Sequence, residues 1–125
     1  MISKEEVLFI HSKLIEEHGG SHGVRDDNSL EASINRPFAT FDGIDLYPTA
    51  IEKAAAVFES IIINHPFIDG NKRTGYSIAN LLLYANGYDI KASQEEKYDF
   101  VIEATKGNLQ IENIIEWFQK HSVKL

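Results

Sequence analysis

The sequence predicts an all-α domain of six helices, in which a polar loop joins two helices rich in apolar residues. Three capping boxes, each a Ser or Thr followed three residues later by Glu, predict helix starts at Ser3, Thr49 and Ser93. Residues 78–85 are apolar nearly all round, which is typical of a central and buried helix. The length of 125 residues fits a single domain that covers residues 1–125.

The first helix begins after Ser3 and ends at Gly19 and Gly20, since glycine readily takes the left-handed conformation at a helix C-terminus. Four apolar side chains recur at helical spacing and are expected to face inward: Val7, Ile10, Leu14 and Ile15. His11, on the same helix, is expected at the surface.

A short second helix near residues 28–35 stops before Pro37, because a residue that precedes proline is disfavoured in the helical conformation. Residues 38–48 have no clear period and predict a long, partly ordered loop, of the kind that often carries function. At most a short extended segment is expected, either in this loop or near residues 88–91.

The third helix follows Thr49, and the fourth runs from about Asn71 to Asn86 and stops at Gly87. Together they flank the polar loop.

A fifth helix follows Ser93 and ends near Gly107, and a sixth covers roughly residues 112–121. On the sixth helix Trp117 and Phe118 are expected in the core, and His121 is expected at the surface.

Composition narrows the class of protein. The absence of cysteine excludes disulfides, thiolate catalysis and cysteine-ligated metals. No apolar run approaches the roughly 20 residues that cross a bilayer, and the first residues have no signal-peptide pattern. We therefore expect a cytoplasmic protein without a membrane-bound segment. The net charge of −7 argues against direct nucleic-acid binding, so any local cluster of cations is informative.

One such cluster lies in the loop at residues 65–75. Pro66 is expected to end the incoming helix at His65, Gly70 allows unusual backbone geometry, and Asn71 is a good N-cap for the outgoing helix. Lys72 then falls in the first turn of that helix, with Arg73 beside it. Because a helix N-terminus is partially positive, two cations there are unfavourable unless an anion binds.

The residues around this helix start predict a phosphate site. Backbone N–H groups at a helix N-terminus bind phosphate, and Lys72 and Arg73 add charge and forked hydrogen bonds. Asp69 is a candidate Mg²⁺ ligand beside phosphate oxygens, and His65 is a candidate general base. Taken singly, each residue also has a structural interpretation: a solvent-exposed His, a turn Asp, a cap at Asn71 and two cations in solvent or paired with surface acids.

The segment resembles the motif of the Fic/Doc family, His-x-Phe-x-(Asp/Glu)-(Gly/Ala)-Asn-x-Arg. The matching residues are His65, Phe67, Asp69, Gly70, Asn71 and Arg73. Further segments are similar to the death-on-curing (Doc) branch: residues 19–26, 36–37, 45–49, 53–55 and 86–87. The resemblance implies a Fic/Doc (Fido) bundle whose central, buried helix carries the motif.

Two positions distinguish the branches of this family. Lys72 stands where AMP-transferring members usually have Gly, and Tyr76 stands where they usually have a second Arg. The resemblance therefore implies transfer of the γ-phosphate of ATP, or of another nucleoside triphosphate, to a protein Ser or Thr hydroxyl. Elongation factor Tu is the implied target and a block of translation the implied outcome. The alternatives are AMP transfer to a protein hydroxyl and a catalytically silent binding module.

The resemblance also assigns roles. His65 would deprotonate the target hydroxyl and Asp69 would bind Mg²⁺. Gly70 and Asn71 would shape the anion site, with the Asn71 side chain on phosphate, while Lys72 and Arg73 would stabilise the transferring phosphate.

Regulation by a separate partner is also implied. No segment matches the inhibitory pattern (Ser/Thr)-x-x-x-Glu-(Gly/Asn), since Ser12 and Glu16 are followed by Glu17. The implied partner is an antitoxin whose C-terminal helix lies in an exposed apolar groove. Residues 38–48 are a candidate docking segment for the protein substrate, and Arg25 with Asp26 is expected to brace a loop.

Overall fold

The computed structural model describes residues 2–125 and confirms the all-α bundle. Within that range six α-helices occur: α1 (Lys4–His18), α2 (Asp27–Asn35), α3 (Ala50–Asn64), α4 (Asn71–Ala85), α5 (Gln94–Thr105) and α6 (Ile111–His121). A 3₁₀ turn, Arg36–Phe38, follows α2. Two small antiparallel sheets pair β1 (Thr40–Phe41) with β2 (Ile44–Asp45), and β3 (Tyr88–Ile90) with β4 (Ser122–Lys124).

The three predicted capping boxes all form. The hydroxyl of Ser3 accepts the Glu6 N–H at 3.1 Å, and the Glu6 carboxylate accepts the Ser3 N–H at 3.0 Å. The same reciprocal pair links Thr49 with Glu52 at the start of α3, and Ser93 with Glu96 at the start of α5. Local hydrogen bonding thus fixes these helix starts, which is why short sequence patterns predicted them.

The core is built around α3 and α4. Helix α3 packs against α2, the 3₁₀ turn, α4 and α6, and α4 lies against α1 and α5 as well. Aromatic side chains of α5 and α6 pack on Phe58 of α3. The Phe58 ring stacks on the Phe100 ring and contacts the Phe118 ring edge-to-face. The outer face of α4 is less buried than its sequence predicts, because Leu81 and Tyr84 face solvent.

The predicted loop at residues 38–48 contains more order than expected. Strands β1 and β2 form a hairpin whose two turn residues, Asp42 and Gly43, both have positive φ. An Asp-Gly pair between apolar residues is a strong hairpin signal, so the hairpin has a local cause that is visible in the sequence. Arg36 anchors the segment, since its guanidinium donates to the Tyr47 hydroxyl at 3.1 Å and pairs with Glu59 at 2.8 Å.

The extended segment near residues 88–91 also forms, but its partner strand was not predicted. Strand β4 continues directly from α6, and its three residues carry no strand pattern of their own.

The surface position predicted for His121 is wrong. Its ring is only 8% exposed, with Nδ1 at 2.9 Å from the Trp117 carbonyl and Nε2 at 3.2 Å from a Glu96 carboxylate oxygen. Each ring nitrogen thus lies at hydrogen-bond distance from an oxygen, which explains how the imidazole can be buried. The pKa of the Glu96 carboxyl is lowered mainly by the hydrogen bond from the Ser93 backbone N–H, and secondarily by the contact with His121.

Candidate functional site

His65 lies where α3 ends, in a left-handed conformation with φ 48° and ψ 58°. The following proline disfavours the right-handed helical region for His65, and the chain turns there as the sequence predicts. Histidine tolerates this conformation better than most side chains. The turn places the His65 side chain at the surface, exposed to solvent at one end of the loop.

Arg25 closes the C-terminal end of α3. Its guanidinium donates to the carbonyls of Asn64 and His65, both at 2.6 Å. Its backbone N–H, with that of Asp26, donates to the Pro66 carbonyl. A cation at a helix C-terminus also complements the partial negative charge there. The predicted bracing role of Arg25 is confirmed, and it acts on the backbone that presents His65.

Asn71 closes the loop from the other end. Its side-chain oxygen accepts the Phe67 N–H at 3.0 Å, and its side-chain nitrogen donates to the Phe67 carbonyl at 2.9 Å. The prediction that Asn71 is the N-cap is wrong, because that position is Gly70, at φ 77° and without a side-chain cap. The amide of Asn71 is therefore occupied in fixing the loop, and its predicted contact with phosphate would replace or share these bonds.

The uncapped start of α4 leaves three backbone donors open. The first N–H of this helix with a backbone acceptor is that of Thr74, which bonds to the Gly70 carbonyl at 3.0 Å. Within residues 2–125 the N–H groups of Asn71, Lys72 and Arg73 have no acceptor. Such a group of parallel donors is suited to bind an oxyanion.

Lys72 and Arg73 are exposed and have no carboxylate within 4 Å among the residues described. Several other cations pair with carboxylates, as Lys4 does with Asp27 at 2.6 Å and Arg36 with Glu59 at 2.8 Å. In a chain with a net charge of −7, two adjacent unpaired cations at a helix N-terminus form a local anion-attracting site.

The Asp69 carboxylate is held by two backbone donors. One oxygen accepts the Gly70 N–H at 2.8 Å, and the other accepts the Ser21 N–H at 3.1 Å. The chain at Gly20 approaches so closely that a Cβ there would lie 2.7 Å from the carboxylate. Each carboxylate oxygen keeps a further lone pair. Mg²⁺ needs only one or two carboxylates when phosphates supply other ligands, so the donor set fits that ion together with a phosphate.

These residues line one cleft of about 920 Å³. Its walls are the loop with the start of α4, the end of α1 at Leu14 and His18, and one face of α5. Lys72, Arg73 and Lys97 border the cleft, against a single carboxylate, Asp69. The structure thus brings together every predicted site residue: His65, Asp69, Gly70, Asn71, Lys72 and Arg73. Their chemical roles stay predictions.

The wall formed by α5 was not predicted as part of the site. Its cleft-lining residues follow helical spacing and include the exposed ring of Tyr98: Gln94, Lys97, Tyr98, Val101, Ile102 and Thr105. That periodicity is visible in the sequence, but only the packing of α5 beside α4 brings this face to the cleft.

Tyr76, in the second turn of α4, also lines the cleft. Burial, and secondarily the charge of Asp89, raises the pKa of its phenol to about 12. The phenol is therefore neutral at physiological pH and adds no charge to the cleft.

Fold and site together define a helical domain with a cationic cleft at an open helix N-terminus. The chain belongs to the Fic/Doc family, whose model, described as Fic/DOC family, matches residues 1–83. It is 45% identical over 91 residues to a Toxin Doc of Mycolicibacterium smegmatis, covering 73% of this chain and 68% of that protein. It is 30% identical over 122 residues to the Protein kinase doc of Escherichia phage P1, covering 95% and 93% of the two chains. The resemblance seen in the motif is confirmed.

No helix within residues 2–125 combines the length and apolar character needed to cross a membrane.

Proposed function

We propose that this chain is a Doc-type toxin that transfers the γ-phosphate of a nucleoside triphosphate to a Ser or Thr hydroxyl of a protein. The observation that carries the proposal is the start of α4, where three open N–H groups and two unpaired cations face a cleft beside an exposed histidine. A polyanion is the ligand that satisfies all of these groups at once.

Each residue of the site has a separate role in the proposed phosphoryl transfer. The imidazole of His65 takes the proton of the attacking hydroxyl, whose oxygen then forms a bond to the γ-phosphorus. The bond from that phosphorus to the β-phosphate oxygen breaks, and the nucleoside diphosphate leaves with the electron pair. Lys72, Arg73 and the N–H groups of α4 stabilise the negative charge on the transferring group, which is the main catalytic task in this reaction.

Asp69 is the proposed Mg²⁺ ligand. Held by this carboxylate, the ion would supply positive charge that neutralises the triphosphate. The two backbone donors on Asp69 fix the carboxylate without using all of its lone pairs.

The orientation of the nucleotide decides between the two transferases of this family. Lys72 adds bulk and charge where AMP-transferring members usually have glycine, and the neutral Tyr76 replaces their second arginine. Both differences favour a nucleotide bound with its γ-phosphate forward. The name of the phage relative, Protein kinase doc, supports the same direction. AMP transfer is the second candidate, because the rest of the motif is shared.

Elongation factor Tu in the cytoplasm is the proposed substrate, with a block of translation as the result. This target is implied by the resemblance to the Doc branch. The β1–β2 hairpin is the proposed docking element, since Phe41 and Ile44 are each 71% exposed on it. The acidic chain itself is not proposed to bind nucleic acid.

An antitoxin is the proposed partner, as the relative named Toxin Doc suggests. The apolar part of the cleft, where Leu14 of α1 faces Val101 and Ile102 of α5, is suited to the apolar face of a helix. A helix bound there would lie beside Lys72 and Arg73 and exclude the nucleotide. Inhibition would follow from occupation of the site, without a change of fold.

The direct test is a transfer assay with purified protein, Mg²⁺ and bacterial elongation factor Tu. ATP labelled at the γ-phosphate is compared with ATP labelled at the α-phosphate, and His65→Ala serves as the control. We expect label from the γ position only, reduced by about 100-fold or more in the control, the usual range for removal of a general base.

Label from the α position would instead identify an AMP transferase and show that Lys72 does not set the orientation. If neither label is transferred to elongation factor Tu or to other cytoplasmic proteins, the chain is a silent binding module.

A further inference from the structure

His11 is a buried histidine with no place in the proposed chemistry. It lies in the middle of α1 and is 4% exposed, so the surface position predicted for it from the sequence is wrong. It does not line the cleft, and it was absent from the motif. Yet it contacts the loop between α3 and α4 in two independent ways.

The first contact is a stack of two rings. The His11 imidazole lies on the Phe67 ring with centroids 3.8 Å apart and planes within 6°. Phe67 is 1% exposed and its backbone is held by the Asn71 side chain. His11 therefore contacts the most deeply buried part of the loop.

The second contact is a hydrogen bond to the loop backbone. The Nε2 atom of His11 lies 2.8 Å from the Asp69 carbonyl oxygen. A carbonyl only accepts, so Nε2 must carry the proton and the ring must be the donor.

These bonds fix one peptide unit from both ends. The Asp69 carbonyl accepts from His11, and the N–H of the same peptide, on Gly70, donates to the Asp69 carboxylate. This peptide leads into Gly70 at φ 77°, the residue after which α4 begins. The peptide thus lies between the Asp69 carboxylate and the open N–H groups of α4.

We infer that His11 is a positioning residue, whose Nε2–H holds the Asp69–Gly70 peptide so that the Asp69 carboxylate and the N–H groups of α4 face the same phosphate. The kinetic consequence rests on the proposed function. The structural consequence, a fixed tautomer and a fixed peptide, does not. The competing role is core filling alone, in which the ring matters and its N–H does not.

Two substitutions separate the ring from its N–H. His11→Phe keeps a flat ring on Phe67 and removes the donor, whereas His11→Gln removes the ring and keeps an N–H at similar reach. His121→Phe is the matched control, because it replaces another buried histidine, outside the cleft, with the same residue. The readouts are kcat and KM in the transfer assay, affinity for Mg²⁺ with a non-transferable ATP analogue, and thermal unfolding.

We expect His11→Phe to lower kcat and analogue affinity by about 10- to 100-fold, the usual cost of losing a group that orients a ligand-bearing residue. His11→Gln should recover most of that loss even though its ring is gone. His121→Phe should lower only the thermal stability. If both His11 variants lower stability alike and leave kcat unchanged, His11 only fills the core.

A ¹⁵N NMR measurement on the unmodified protein decides the inference independently of activity. We expect the His11 imidazole as the Nε2–H tautomer, and a shift of the Gly70 amide signal in His11→Phe that His121→Phe does not cause. An Nδ1–H tautomer at His11 would overturn the inference even if phosphate transfer is observed. A protein that transfers no phosphate but shows the expected tautomer and shift would refute the proposed function and keep the positioning role.

Discussion

Helices α3 and α4 begin in opposite ways, although they lie side by side in the core. Helix α3 starts with Thr49 and Glu52, which satisfy each other's backbone donors and put a carboxylate in the first turn. Helix α4 starts at Gly70 without a side-chain cap, and Lys72 and Arg73 occupy its first turn. The first arrangement favours the helix and the second opposes it by about 0.3–1 kcal/mol per cation.

The start of α3 stabilises its own helix, whereas the start of α4 is suited to bind a ligand. At α3 the Thr49 side chain supplies an acceptor for the Glu52 N–H, and the Glu52 carboxylate puts negative charge in the first turn, which disfavours a bound anion. At α4 the N–H groups and the cations have no partner in the part of the chain that the structure describes, because the nearby side chains bond to other groups. Asn71 bonds to Phe67, and the Asp69 carboxylate accepts from Gly70 and Ser21. An anion from solution completes the helix start.

The largest expected effect comes from giving α4 an acidic first turn like that of α3. In the double variant Lys72→Glu with Arg73→Glu, affinity for a non-transferable ATP analogue should fall by about 100-fold or more, since two charge-assisted contacts are lost. Thermal unfolding should not occur at a lower temperature, because carboxylates favour a helix N-terminus. Calorimetric titration and a melting curve measure the two effects.

The control for that experiment carries the same change of charge far from the cleft. Lys120 and Lys124 do not line the cleft, so replacing both with Glu should alter analogue affinity only slightly. An equal loss in both double variants would mean that net charge, and not the start of α4, governs binding.

A smaller effect is expected at the start of α3. Thr49→Ala removes a hydroxyl that caps the Glu52 N–H at 3.1 Å, and should lower the free energy of unfolding by about 1 kcal/mol. Urea denaturation measures this loss, with Ser93→Ala on α5 as a parallel case. Analogue affinity should stay within error in both variants. A loss of binding in Thr49→Ala alone would show that the two helix starts are coupled.

The smallest effect concerns α2, whose N-cap is Asp26. The pKa of this carboxyl is lowered from 3.8, mainly because the carboxylate accepts a hydrogen bond from the Ser29 N–H. A lowered pKa adds stability above the unfolded-state value, and that stability is lost as the pH falls through the folded-state value.

Asp26→Asn keeps a good capping side chain but cannot titrate. Its urea midpoint should therefore lie slightly below that of the parent at neutral pH, and the difference should shrink as the pH falls below 3.8 and through the lower, folded-state pKa. A constant difference across the acid range would mean that the charge of Asp26 does not contribute.

Much of the fold could be predicted because its signals are local. Three helix starts depend on residues three apart, and the end of α3 depends on the pair His65-Pro66. Local reasoning failed where a distant segment supplies the partner. The burial of His11 depends on Phe67 and Asp69, and that of His121 on Glu96. The pairing of β3 with β4 likewise joins segments far apart in the chain.

The candidate site divides in the same way. The residues of the loop were identified from their order in the sequence, because a histidine, a carboxylate and two cations beside a helix start together indicate a phosphate site. The segments around the loop were not identified: Ser21, whose N–H donates to Asp69, and the wall of α5 with Lys97 and Tyr98. None of these contacts has a fixed sequence spacing.

The sequence by itself determined the six helices, the two cations in the first turn of α4 and the family motif, since each depends on residues close together in the chain. Only the tertiary structure decided the cleft and the tautomer of His11. Both depend on which helix packs beside α4, which is set by the burial of apolar surface from several distant segments.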